Sequence, residues 1–284
     1  MSNDARSNVA AGAAPAPDLA VRKVKSAVRT VELLEYLAAR PDDPARLREI
    51  SDALGMPRSS AHALLRTLVA QGWVRSDPTG AMYAIGVRAL LVGTSYLDSD
   101  PYLPLITPFL DELRQELDET FHLGRIDGTD IVYLATRESK QYNRVSNRVG
   151  RRLPAYATAL GKALLAERFD VERDEHIPSA LKSLTTKTIV DRAALDETLD
   201  EVRVRGYATD DEENTSGLRC FAVALRYCSP AQDAISASVP VGRLSPQREQ
   251  EIVEALRTMG DKVSRVVRPL ANGDKWFASR VSGE

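Results

Sequence analysis

Apolar residues recur at helical spacing in three consecutive segments near the start of the chain. The first follows a candidate N-cap, Ser26, and its predicted apolar face consists of Ala27, Val31, Leu34 and Ala38. The second covers residues 47–54 and the third residues 58–71, with Gly55-Met56-Pro57 between them, because glycine suits the end of a helix and proline its start. Strands at 72–75 and 82–85 then flank a turn at 77–80. This order predicts a winged helix-turn-helix over residues 21–86.

The third helix has the polar face that a groove-binding helix needs. Its apolar stripe is Ala61, Leu64, Leu65 and Leu68, and no Asp or Glu lies between Ala53 and Ser76. A surface without acids can approach phosphates without repulsion. The predicted DNA contacts are Arg58, Ser59, Ser60, His62, Arg66 and Arg75. The alternative is a helical hairpin in a core with an incidentally basic face, which the wing and the basic segment Arg22-Lys23-Lys25 make less favourable.

A further apolar helical segment at residues 87–99 is predicted to connect this module to the rest of the chain and to pack against a second subunit. Packing within its own chain remains the alternative. Residues 100–270 mix helices, predicted near 105–117, 159–169, 192–205 and 245–268, with strands near 120–126, 131–136, 207–209, 219–227 and 233–239. The prediction is therefore an α+β fold whose second domain is an antiparallel sheet flanked by helices, typical of small-ligand sensors. Residues 1–20 and 271–284 are predicted to be tails, the first of them disordered.

Composition narrows the class of protein without naming a chemistry. The chain has 284 residues, 43% hydrophobic and 27% charged, with a net charge of −2, so any DNA affinity must come from a local basic patch. Two cysteines and three scattered histidines show no disulfide framework and no metal-ligand spacing, and we expect no metal and no cofactor. No apolar run approaches the roughly 18 residues that cross a bilayer, and the N-terminus lacks the features of a signal peptide. A cytoplasmic protein without membrane partners is expected.

Motifs in both halves together resemble the IclR family of bacterial transcriptional regulators. They are the segment Leu47 to His62, the run Ala157-Thr158-Ala159-Leu160-Gly161-Lys162-Ala163, the pair Gly206-Tyr207, and the stretch Asp211 to Cys220. The resemblance implies a winged helix-turn-helix, a linker helix and a GAF-like effector domain. It also implies a homodimer or dimer of dimers on palindromic operator DNA, controlling catabolic genes in response to a small organic acid.

The resemblance further implies where the effector binds. It assigns one wall of the site to Ala159, Leu160 and Gly161 and the opposite wall to Asp210, Cys220, Ser236 and Ser238. Backbone N–H groups at a helix N-terminus suit a carboxylate, and residues two apart on a strand share a face. The alternative for the serines and Cys220 is that they are satisfied core residues. The chain departs from the family pattern at Tyr156, at Ala224 and in the segment 226–230.

Other chemistries are less well supported by the sequence. A phosphate-binding loop at Gly161-Lys162 is rejected, because the upstream glycine is missing and Ala163 replaces the needed hydroxyl residue. Cys220 has no histidine partner in its pattern, and a redox role would need an accessible thiol. Asp211-Glu212-Glu213 is a paired-carboxylate site or, more simply, a solvated turn. The arginines at 144, 148, 151 and 152 bind an acidic ligand or a neighbouring subunit, or form a solvated loop. An enzyme acting on a small acid, with an accessory DNA-binding domain, is the alternative to a regulator.

Overall fold

The computed structural model describes residues 24–141 and 149–271, which form two compact units that divide between Tyr96 and Leu97. The predictions for the N-terminal tail, for Arg22 and Lys23, for Arg144 and Arg148, and for residues 272–284 lie outside the described residues.

The first unit is a winged helix-turn-helix. Its elements are α1 (Lys25–Ala38), β1 (Ala45–Arg46), α2 (Leu47–Ala53), α3 (Arg58–Ala70), β2 (Val74–Ser76) and β3 (Met82–Ile85). Gly55 has φ of 56° in the turn between α2 and α3, a left-handed conformation that glycine adopts without strain. The strands form an antiparallel sheet of order β1-β3-β2. The predicted hairpin of β2 and β3 thus has a third strand, β1, whose two residues were too few to be predicted from the sequence.

The predicted apolar face of α1 was wrong except at Leu34, which is half-buried against the core. The buried residues of this helix are Leu33 and Leu37, while Val31 is 54% exposed and Ala27 and Ala38 are also exposed. The core-facing positions are therefore Leu33, Leu34 and Leu37, whose leucine side chains remove more apolar surface from water than the alanines of the predicted face. Ser26 does not cap the helix, which begins at Lys25 without a side-chain cap.

Helix α4 (Val87–Ser99) spans the division between the units, and the second unit continues with α5 (Leu103–Leu117). The described strands of its sheet are β4 (Thr120–Asp127), β5 (Asp130–Arg137), β6 (Arg152–Pro154), β7 (Ala208–Asp211), β8 (Leu218–Ala224) and β9 (Asp233–Pro240). The remaining helices are α6 (Ala159–Leu165), α7 (Asp170–Asp174), α8 (Arg192–Arg205) and α9 (Pro246–Ala271). The strands are antiparallel in the order β6-β5-β4-β9-β8-β7, which confirms the α+β fold.

The two faces of this sheet carry different side chains, because successive residues of a strand point to opposite sides. One face packs against α5 and α9 through a large apolar core that includes Phe121, Phe221 and Ile235. The other face lies under α6, and here small residues such as Ala222 and Ala234 alternate with polar ones. The polar positions of this second face form the candidate effector site.

A buried charge network joins the strands to the start of α5. Arg125 on β4 donates two hydrogen bonds to Asp233 on β9, at 2.7 and 2.8 Å, and also pairs with Asp100. The other Asp100 oxygen accepts the N–H groups of Tyr102 and Leu103 at the first turn of α5. Each of the two buried carboxylates therefore has a cationic partner, as buried acidic groups in folded proteins require.

The predicted helix at 159–169 is in fact shorter. Helix α6 ends at Leu165, and the buried Arg168 donates to the carbonyl oxygens of Leu164 and Ala231 at its end, at 2.9 and 2.8 Å. The separate helix α7 then follows, and sequence periodicity did not reveal this break. The predicted strand 219–227 likewise ends at Ala224.

Candidate DNA-binding surface and effector cavity

The exposed face of α3 carries the predicted DNA contacts. Arg58, His62 and Arg66 are exposed and four residues apart, so they form one row along the helix, with the exposed Ser59 beside them. Ser60 is half-buried and lies at the edge of this face, whereas Arg75 is exposed on β2. The buried face consists of Ala61, Leu65 and Leu68, as the apolar stripe predicts, and Leu64 is half-buried.

The wing turn is held by a single carboxylate. Asp77 accepts hydrogen bonds from the N–H groups of Ala81 and Met82 at 2.7 and 2.8 Å, and from the hydroxyl of Thr79. The Thr79 hydroxyl is the largest of the causes that lower the pKa of Asp77 to about 2. The carboxylate therefore stays ionised and keeps β2 and β3 in hairpin geometry.

A cavity of about 230 Å³ lies on the second face of the effector-domain sheet. Six of the seven residues that the family resemblance assigned to the effector site line it: Ala159, Leu160, Asp210, Cys220, Ser236 and Ser238. The strand register explains the polar wall, since Asp210 pairs with Cys220 and Cys220 pairs with Ser238 across three neighbouring strands.

Gly161 requires a correction. It does not line the cavity, and its N–H group donates to the hydroxyl of Thr158 at 3.1 Å rather than being available to a ligand. An added Cβ would lie 2.0 Å from the carbonyl oxygen of Ala155, so this glycine allows α6 to pack against the preceding turn. Tyr156 is also absent from the cavity lining and instead donates its hydroxyl to the carbonyl oxygen of Lys182 at 2.7 Å.

Cys220 is a packed thiol rather than a nucleophile. Its sulfur lies 3.3 Å from the hydroxyl of Ser238. Burial, and after it the negative charge of Asp210, raises the pKa of Cys220 to about 12. A thiol with so high a pKa is protonated at neutral pH, which disfavours both covalent chemistry and redox sensing there.

Asp210 is a buried carboxyl that faces the cavity. It is 4% exposed, and its Oδ1 accepts the N–H groups of Glu213 and Asn214 at 2.7 and 3.2 Å. Burial raises the pKa of Asp210 to about 6 against these hydrogen bonds, which lower it. A small change in its surroundings therefore moves this carboxyl between its two protonation states near neutral pH.

A buried ion pair next to Asp210 was not predicted from the sequence. The ammonium of Lys162 lies 2.5 Å from the Oε1 of Glu213, with side-chain exposures of 1% and 8%. The acidic triplet at 211–213 is thus divided, because Asp211 and Glu212 pair with the half-exposed Lys187 at the surface. The solvated-turn interpretation is wrong for the buried Glu213, whereas Asp211 at the end of β7 and Glu212 after it are partly exposed.

Tyr133, which the sequence did not single out, and Arg151, one of the arginines for which an acidic ligand was one alternative, also line the cavity. They are adjacent, because the N–H of Tyr133 donates to the carbonyl oxygen of Arg151 at 3.0 Å. The ring of Tyr133 stacks on His122, with centroids 4.5 Å apart and 16° between the planes. Burial, and then the nearby positive charge of Arg151, lowers the pKa of His122 to about 3, so its ring is neutral. The alternation of residues along β5 indicates which residues share a face with Tyr133. Only the order of the strands shows that this face borders the cavity.

Within the described ranges, no cluster of three or more His, Cys, Asp or Glu side chains could hold a metal ion. A search of the same part of the chain found no helix of the length and hydropathy that crossing a membrane requires.

Comparison with known proteins identifies the class that this fold and site define. The IclR helix-turn-helix domain matches residues 26–78, and the bacterial transcriptional regulator IclR C-terminal domain matches residues 94–265. The chain belongs to the IclR family of bacterial transcriptional regulators. It is thus a DNA-binding regulator, which decides against the enzyme alternative.

Individual relatives support the same conclusion over most of the chain. The transcriptional repressor IclR of Escherichia coli is 34% identical, over 82% of this chain and 86% of the relative. The regulator KdgR of the same organism is 32% identical, over 85% and 92%. Among solved structures, a transcriptional regulator of Rhodococcus sp. RHA1 superposes with a TM-score of 0.69 at 29% identity, over 86% of this chain and 98% of the other.

Proposed function

We propose that this regulator binds a palindromic operator as a homodimer or a dimer of dimers and senses a small carboxylic acid in the cavity under α6. The observation that carries the proposal is the convergence of Asp210, Ser236 and Ser238 with Tyr133 and Arg151 on one cavity. A concave site with a few convergent polar groups is the usual form of a small-molecule site. As its target is bacterial DNA, its place of action is the cytoplasm.

Several relatives favour an organic acid and catabolic target genes. The acetate operon repressor of Salmonella typhimurium is 33% identical over 81% of this chain, and the Pca regulon regulatory protein of Pseudomonas putida is 33% identical over 70%. An IclR homologue of Microbacterium hydrocarbonoxydans that shares the fold, at 22% identity, was crystallised with 4-hydroxybenzoate.

On the DNA side, α3 enters the major groove. The row of Arg58, His62 and Arg66 gives phosphate and base contacts, and Ser59 and Ser60 near the start of the helix add short polar side chains. Arg75 on the wing reaches the neighbouring backbone.

Helix α4 provides the contact between subunits. It has no buried residue, although five large apolar side chains lie on it, with exposures between 48% and 71%: Val87, Leu90, Leu91, Val92 and Tyr96. An apolar surface of this kind marks an interaction site, and a second copy of the helix is its natural partner in a regulator that binds two half-sites. The two half-sites would lie about 34 Å apart or a multiple of it.

The effector acts by shifting a population. An acid that binds more tightly when the effector domains adopt one packing favours that packing by its difference in affinity, and the spacing of the two α3 helices changes with it. Operator affinity then rises or falls, depending on which spacing the effector favours.

The test is a mobility-shift titration on DNA upstream of the gene and its neighbours, at low salt, repeated with a panel of organic acids. Specific binding that one acid weakens or strengthens is expected. Arg66→Ala should weaken operator binding and leave acid binding unchanged, because it removes a phosphate or base contact. The matched control is Arg265→Ala, which removes an equal charge from the exposed side of α9. Equal operator affinity of both variants would overturn the assignment of Arg66.

The cavity is tested separately. Ser236→Ala combined with Ser238→Ala should reduce the response to the acid while operator binding without acid is unchanged. A normal response of the double variant would overturn the assignment of the cavity.

A further inference from the structure

The cavity is chemically polarised. Among its described lining residues, Arg151 is the single basic side chain and Asp210 the single acidic one. Arg151 immediately precedes β6 at one edge of the sheet, and Asp210 lies on β7 at the other edge. A carboxylate is attracted by the first charge and repelled by the second. The acid group of the effector therefore belongs at the Arg151 end.

Tyr133 adds a donor at that end. It is next to Arg151 in the sheet, is 7% exposed, and its hydroxyl has no hydrogen-bond partner among the described residues. Burial raises the pKa of Tyr133, so the phenol remains protonated and can donate. A guanidinium and a phenol that line the same cavity suit a carboxylate, because hydrogen bonds to an ionised acceptor are stronger than neutral ones.

The opposite end requires a donor from the ligand. The Oδ1 of Asp210 is taken by two backbone N–H groups, whereas its Oδ2 has no partner within the described chain. Ser236 is 2% exposed, lines the cavity, and its hydroxyl likewise has no partner there. Buried polar groups are almost always hydrogen-bonded, so these side chains indicate where polar groups of a ligand lie.

The register shows which group fits next to Asp210. Cys220 lies between Asp210 and Ser238 in one row across the sheet, and neighbouring strands are about 4.8 Å apart. A ligand atom above Cys220 thus reaches both neighbours, donating to Asp210 and accepting from Ser238. A hydroxyl can do both, whereas an ammonium has no acceptor and a methyl group can do neither.

We propose that the effector is a hydroxylated carboxylic acid, whose carboxylate pairs with Arg151 and Tyr133 and whose hydroxyl bridges Asp210 and Ser238. This inference rests on the proposed function of the cavity and adds the ligand class and the orientation. Arg151 and Asp210 are the specificity determinants, one for each end of the ligand.

The experiment measures affinity by calorimetry for matched compounds on the full-length protein. The probes are 4-hydroxybenzoate and 4-hydroxybutyrate, their counterparts without the hydroxyl (benzoate and butyrate), and their amides (4-hydroxybenzamide and 4-hydroxybutyramide). At least one hydroxy acid should bind, and both of its counterparts should bind roughly tenfold or more weakly, which is the usual range for one charge-assisted hydrogen bond.

The variants assign the two ends. Arg151→Gln should abolish the preference for acid over amide and keep the preference for the hydroxyl, and Asp210→Asn should do the reverse. The matched control is Arg152→Gln, which removes an equal charge one residue away, from an exposed side chain paired with Asp127 and Asp130 outside the cavity lining. It should behave like the wild type.

Each other outcome has a definite meaning. If benzoate or butyrate binds as tightly as its hydroxylated partner and changes operator affinity, the proposed function stands and the hydroxy-acid inference fails. If Arg151→Gln keeps the preference for acid over amide, the orientation is wrong. If no acid in the panel binds, both the inference and the cavity as an acid sensor are overturned.

Discussion

The buried ion pair beside the cavity gives a sharp prediction about stability. Lys162 and Glu213 are almost fully enclosed, and the Oε2 of Glu213 has no hydrogen-bond partner, so each charge depends on the other. Two unit charges about 4 Å apart attract each other by about 4 kcal/mol at an effective dielectric constant of about 20. Lys162→Met leaves the carboxylate uncompensated and should lower the free energy of unfolding of the effector domain by about 3–5 kcal/mol.

A double variant distinguishes the interaction between the two charges from the cost of burying each charge. Lys162→Met together with Glu213→Leu removes both charges and both desolvation penalties, and should recover most of the loss because apolar replacements of a buried pair are often nearly neutral. The control is Lys187→Met, which breaks a surface ion pair instead of a buried one. The partly exposed pairs of Lys187 with Asp211 and Glu212 should contribute less than about 1 kcal/mol.

Native-state hydrogen exchange, read by mass spectrometry on peptides from β7 and β8, is the assay, because it reports the opening free energy of this domain separately from the DNA-binding unit. A loss below about 1 kcal/mol in Lys162→Met, or a double variant as unstable as the sum of its single variants, would refute the reasoning.

Three further predictions concern single positions. Gly161→Ala should destabilise the effector domain by roughly 2 kcal/mol or more in thermal unfolding, because its Cβ would meet the Ala155 carbonyl at 2.0 Å, whereas Gly242→Ala, with nothing within 4 Å, should change little. The pKa of Asp210 is raised from 3.8 to about 6 in the fold, so its stabilisation is present below pH 4 and is lost as the pH rises through 6. Relative to Asp210→Asn, the wild type should lose up to about 3 kcal/mol of unfolding free energy between pH 4 and 7, and a flat difference would contradict the burial argument. Asp77→Ala should weaken operator binding in a mobility shift, because the wing turn loses its acceptor, and unchanged binding would mean that the wing does not need this turn.

Patterns in the sequence predicted those parts of the fold that depend on residues close together in the chain. The buried stripe of α3, the wing hairpin and the long strands follow from periodicity and turn residues within a few positions of each other. The apolar face of α1 was wrong at three of its four residues because apolar residues lie on more than one side of this helix, and only packing decides which side is buried. The short strands β1 and β6 exist through pairing with distant strands, so no local pattern marks them.

Part of the candidate site was also predicted from the sequence, and part was not. The family resemblance led to Asp210, Cys220 and the two serines, and the strand register places them on one cavity wall. The pairing of Lys162 with Glu213 joins residues 51 positions apart, and that of Arg125 with Asp233 joins residues 108 apart. Such contacts follow from the sheet order, which the sequence alone did not determine.

The unburied apolar side of α4 has a consequence for how much of this protein a cell must make. If a second copy covers that helix, dimerisation follows mass action. Dilution below the dissociation constant of the dimer then leaves monomers, each of which can contact a single half-site. Occupancy of the operator would then fall more steeply than in proportion to protein concentration. The threshold for regulation would depend on the expression level of the regulator as well as on the concentration of its effector.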